Sequence, residues 1–76
     1  MSSKKQQANI AHRLSKNIQQ SRLTLAHAFV LIRRDGFKIR VAKINGSAVV
    51  PEAKEAAQDR INVEVVNGIV RRCWVG

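Results

Sequence analysis

Two runs rich in β-branched residues, Ile61 to Val66 and Ile69 to Val75, are separated only by Asn67-Gly68. Asn-Gly readily takes the left-handed backbone positions of a two-residue hairpin turn, so this segment reads as a β-hairpin. With Val66 opposite Ile69, the register sets Val65 against Val70, Glu64 against Arg71, Val63 against Arg72 and Ile61 against Trp74. Ile61, Val63, Val65, Val70 and Trp74 then share an apolar face, and Glu64 pairs with Arg71 on the other.

The remaining chain must cover that face. Ile10, Leu14 and Ile18 recur every fourth position with Ala11 beside them, which predicts an amphipathic helix from Ala8 to about Gln20. It is too short to persist alone in water and must dock. Residues 1 to 7 carry no periodicity and read as a flexible basic tail. From Leu23 to Ile44 two readings compete. One continues helix through LTLAHAFVLIRR; the other, favoured here, makes two strands around Asp35-Gly36. In that hairpin Arg33 opposes Lys38, while Val30, Ile32, Ile39 and Val41 share a half-buried face. Asn45-Gly46-Ser47 breaks the chain, and Pro51 opens the helix-forming run EAKEAAQ, which predicts a short helix to Gln58. The expected fold is α+β: an N-terminal amphipathic helix, a β-hairpin, a short helix and a β-hairpin, forming a small antiparallel sheet in a single domain over residues 8–76.

At 76 residues the chain is near the size at which one core barely suffices. The lone Cys73 has no intramolecular disulfide partner, so packing must supply stability, as in a reducing compartment. The N-terminal region lacks the apolar stretch of a secretory signal, and Leu25 to Ile32, interrupted by His27, falls far short of a bilayer span. The expected location is the cytoplasm, or a host cell interior if the protein is viral, with no membrane partner.

Charge is unevenly placed. Residues 1–43 hold ten Lys and Arg against Asp35 alone, a net +9, whereas residues 44–76 hold four of each sign. Such asymmetry points to an anionic partner on one region. The candidate contacts are Lys4, Lys5, Arg13, Lys16, Arg33, Arg34, Lys38, Arg40 and Lys43. Arg33 facing Lys38 is a local conflict that an anion would relieve. The chemistry of that anion is open: stacking aromatics are scarce, with only Phe29, Phe37 and Trp74, and no sequence-reading motif is recognisable. Packing is the commoner role for each of the three.

Catalysis finds no footing. His12 and His27 read as a helix-surface and a partly buried strand residue. The serines lack a nucleophile motif, the glycines are isolated, and Cys73 reads as inert packing. No metal site or cofactor is expected.

The strand Ile39-Arg40-Val41, Gly46 and the string Arg60-Ile61-Asn62-Val63 resemble the C-terminal half of the potato-inhibitor-I-like serine-protease inhibitors. The resemblance implies that Ser47 to Asp59 is a protease-binding loop, with Arg60 supporting it from beneath. The sequence departs from that family in a longer loop, SAVVPEAKEAAQD, with helical preference. Two functions are therefore expected. The first is a small basic regulatory binding protein, of a size and charge common among phage-encoded factors, contacting nucleic acid or a nucleoprotein machine such as a transcription complex. The alternative is a protein inhibitor of an enzyme, acting through loop 47–59 or as a basic cap on an acidic enzyme surface.

Overall fold

The computed structural model describes residues 4–49, 57 and 59–76, with backbone alone for residues 4–8. Two helices, α1 (Lys4–Ser21) and α2 (Leu25–Arg34), precede four strands: β1 (Lys38–Ile44), β2 (Ser47–Ala48), β3 (Arg60–Val66) and β4 (Ile69–Val75). The sheet order is β2-β1-β3-β4, with β1 and β3 parallel and the other neighbours antiparallel. The α+β class is as expected. The sheet is mixed, however, and the short helix expected over 51–58 falls on residues outside those described, Ala57 excepted.

The segment before Asp35-Gly36 is helix, not strand, and it is capped at both ends. Thr24 stands at the N-cap in extended conformation, and its Oγ1 accepts from the His27 backbone N–H at 3.2 Å. At the other end Gly36 adopts φ +85°, Gly36 N donates to Arg33 O at 3.0 Å and Phe37 N to Ile32 O at 3.1 Å. That bonding pair is a Schellman motif, and its usual apolar contact is supplied by two buried residues, Phe37 and Ile32. Asp35-Gly36 thus ends a helix instead of turning a hairpin. Ala28 and Ile32, one turn apart, point into the core, whereas Val30 is 58% exposed. The half-buried strand face proposed for Val30 and Ile32 does not form. His27 is exposed on α2, not partly buried in a strand.

Because β1 has no preceding strand, its sheet neighbour must come from later in the chain. Asn45-Gly46 turns it into the two-residue β2, with Lys43 opposite Ala48. The chain then returns to begin β3 beside the start of β1, with Lys38 opposite Arg60, which makes the pair parallel.

The Asn67-Gly68 hairpin forms as expected, with φ of 52° and 80° at its two turn residues. Its register changes after Val65↔Val70: Glu64 lies opposite Arg72, Val63 opposite Cys73 and Ile61 opposite Val75. Arg71 is the extra residue of a β-bulge. Strict alternation would have turned Arg72 and Trp74 towards the core with Val70. The bulge brings Cys73 and Val75 inward instead and leaves Arg72 and Trp74 outside. A second irregularity between Val41 and Lys43 does the same for β1, setting Lys43 opposite Glu64 instead of inside with Ile39 and Val41.

Both helices cover one sheet face. Ala11 and Ile18 of α1 and Ala28 and Ile32 of α2 form one core with Phe37, Ile61, Val63, Val65, Val70 and Cys73. In α1 the buried stripe is Ala11, Ser15 and Ile18 with Leu14 half-buried, while Ile10 is largely exposed. Ser15 satisfies its buried hydroxyl on His12 O at 2.9 Å. The outer edge of β4 is protected: Leu25 N donates to Gly68 O, Val70 N to Leu23 O and Cys73 N to Gln19 Oε1.

Candidate functional site

The basic residues singled out from the sequence do not converge on one hairpin. Lys4 and Lys5 begin α1, with side chains outside the described set. Arg13 and Lys16 are exposed on α1. Arg33 and Arg34 occupy the last turn of α2, where cations complement the negative end of the helix dipole. The conflict between Arg33 and Lys38 across two strands therefore does not arise. Lys38, Arg40 and Lys43 remain together on β1.

The sheet face turned away from the helices gathers what the linear sequence kept apart. Its rows follow the register: Lys38 beside Arg60, then Arg40, Asn62 and Trp74, then Lys43, Glu64 and Arg72. Arg72 lies 3.7 Å from Glu64 Oε2, and its guanidinium sits 5.4 Å from the centroid of the Trp74 ring. Lys38 and Asp59 form an exposed ion pair at 3.7 Å, which contributes little to stability. Phe37 is packed in the core, as expected, whereas Phe29 and Trp74 are exposed.

At one end of this face a polar cluster ties the strands to Gly76. Arg60 Nε donates to Gly76 O at 2.6 Å, and Asn62 Nδ2 donates to the same oxygen at 2.8 Å. Asn62, only 1% exposed, also donates to Trp74 O at 3.4 Å and accepts from Arg40 at 3.5 Å. A buried amide needs such partners, and here it finds them on two strands at once. Gly76 N closes the arrangement by donating to Arg60 O at 3.1 Å.

This cluster sits at the C-terminal base of the segment joining β1 to β3. Lys38 N donates to Asp59 O at 2.8 Å at that base. At the other base Asn45 N donates to Val65 O at 2.7 Å, and Asn45 Oδ1 accepts from Asn67 N at 2.8 Å. Both ends are thus fixed to the sheet. Within Ser47 to Asp59, residues 47–49 are exposed; residues 50–56 and 58 lie outside those described. Sequence reasoning singled out Arg60 but missed Asn62 and Gly76, whose partnership spans 14 residues and leaves no local pattern.

Cys73 is buried against α1, and desolvation pushes its thiol up to about 12. Among the described residues no three His, Cys, Asp or Glu side chains are grouped to hold a metal ion, and no helix is long and apolar enough to cross a membrane. No protein-family model matches the chain, and neither a curated protein nor a solved structure matches it significantly.

Proposed function

We propose that the protein is an inhibitor that presents the segment between β1 and β3 to a serine protease. The observation that carries this reading is the brace at the segment's base, where Arg60 and Asn62 converge on Gly76 O at 2.6 and 2.8 Å. An inhibitory loop differs from a substrate loop chiefly in being held before it binds, so that little conformational entropy is lost on docking. The described ends of the segment, Asn45 just after β1 and Asp59 just before β3, are each hydrogen-bonded to the sheet, which supports that reading. The order of a strand, a long segment and an Arg-Ile-Asn-Val strand supports the same reading through its resemblance to potato-inhibitor-I-like proteins. The unpaired Cys73 fits action in a reducing compartment such as the cytoplasm.

The test is a titration of subtilisin and of chymotrypsin with the intact protein, with the fate of the chain followed by mass spectrometry. Slowed hydrolysis of a reporter peptide, with the chain surviving, is the expected result. Arg60→Ala should retain its circular dichroism spectrum yet be cut between residues 47 and 59. Neither protease slowed, and the wild-type chain cut there as fast as a denatured control, would overturn the reading.

A further inference from the structure

We propose that the sheet face opposite the helices binds single-stranded nucleic acid, with Lys38, Lys43, Arg71 and Arg72 on phosphates and Trp74 as a stacking platform. This site shares the sheet face with the brace at Gly76 but uses other side chains. Three observations lead to it. The first is exposure: Lys43 and Arg71 are exposed, and the Lys38 and Arg72 side chains remain 71% and 67% accessible although each has a carboxylate nearby. Arg40 and Arg60, which hold Asn62 and Gly76, are not needed as contacts.

The second is that two strand irregularities serve the same end. Without the bulge at Arg71 and the register shift between Val41 and Lys43, Arg72, Trp74 and Lys43 would face the core; with them, all three join the outer face around Glu64. Bulges re-aim side chains in this way beside functional surfaces. Among the described residues Glu64 is the acid opposed to Lys43 and Arg72 in their row, and the cations of this face outnumber its described carboxylates, Glu64 and Asp59.

The third is Trp74, 36% exposed on an edge strand with the Arg72 guanidinium 5.4 Å from its ring. Exposed aromatics on a sheet, extended by an arginine plane, stack with unpaired bases, whose faces a duplex keeps stacked on one another. Cations without the aromatic would equally suit an acidic protein; the stacking surface favours a nucleic acid.

Trp74 is the sole tryptophan, so its fluorescence reports on the site directly. The probes are a fluorescein-labelled 12-mer of thymidylate, a DNA hairpin duplex and polyglutamate, at equal charge concentration. The 12-mer should quench Trp74 and bind tightest, with a log-log salt slope of about −3 if all four cations meet phosphates. Lys43→Ala/Arg72→Ala should weaken 12-mer anisotropy binding about tenfold or more, and Trp74→Leu to a similar degree, while Arg13→Ala/Lys16→Ala on α1 stays within about twofold. Circular dichroism checks each fold, and Lys38→Ala/Lys43→Ala replaces the first variant if that one unfolds. Absence of quenching, equal binding of duplex or polyglutamate, or an equal loss in the α1 variant would each overturn the proposal. None of these results depends on protease inhibition.

Discussion

Arg60 reaches across 16 residues of sequence to place its Nε 2.6 Å from the carbonyl oxygen of Gly76, and Asn62, two residues along the same strand, donates to the same atom at 2.8 Å. One carbonyl thereby joins the start of β3 to the end of β4. Because a charge-assisted donor is paired with a buried amide, the two contributions differ in kind.

Asn62 is the residue whose loss should be felt most in stability. Asn62→Leu removes the buried amide and its donors to Gly76 O and Trp74 O. Gly76 O keeps its bond from Arg60, but the bonds that Asn62 makes from a fully buried position are lost, which should lower unfolding free energy by about 1–3 kcal/mol. Urea denaturation measures this, and a loss below about 0.5 kcal/mol would show that the amide is replaceable.

The helical assignment of residues 25–34 separates two substitutions that a hairpin would treat alike. Ile32→Ala empties a fully buried position and should cost about 2–5 kcal/mol. Val30→Ala, at an exposed helical site, should be neutral or slightly stabilising by a few tenths of a kcal/mol, roughly the difference in helix propensity. Comparable losses at both positions in thermal unfolding would contradict α2.

Arg22 follows α1 with φ +50°, a left-handed conformation that a side chain resists. Its side chain is exposed, so little packing is lost on replacement. Arg22→Gly should therefore raise stability by about 0.5–1 kcal/mol, seen as an increased denaturation midpoint with unchanged m-value. A decrease would mean that the arginine makes a contribution beyond its backbone.

Cys73 links stability to alkaline pH. Its thiol is raised from an ordinary 9.0 to about 12 because burial disfavours the thiolate. Below pH 9 both folded and unfolded chains keep the proton, so the contribution is fully present. As pH rises through 9 towards 12 the unfolded chain releases its proton first, and this contribution to stability falls. The wild type should thus lose more stability over that range than Cys73→Ala. At pH 8 iodoacetamide should modify the native thiol far more slowly than the denatured one.

Much of the chain's local grammar was legible. Asn67-Gly68 between β-branched runs specified its hairpin, and the four-residue recurrence at Leu14 and Ile18 specified α1. Asp35-Gly36 was not decidable locally, because the same φ-positive glycine closes a hairpin or a Schellman motif. What distinguishes the two in the structure is the bond from Phe37 N to Ile32 O, with both side chains buried in the core. The bulges were equally invisible: alternation is counted residue by residue, and only the cost of burying Lys43 or Arg72 against the helices shifts the register.

By itself, then, the sequence determined the α+β class, the last hairpin, the first helix and the excess of positive charge, since each follows from nearest-neighbour patterns and composition. The tertiary structure decided which strands are neighbours, which residues brace Gly76 and where the charge lies in space. Arg60, Arg71 and Arg72 belong to the electrically neutral half of the chain, yet they share a sheet with Lys38, Arg40 and Lys43. Parallel pairing of β1 with β3 is a long-range choice, imposed by the need to bury one apolar sheet face under two helices, and no local pattern encodes it.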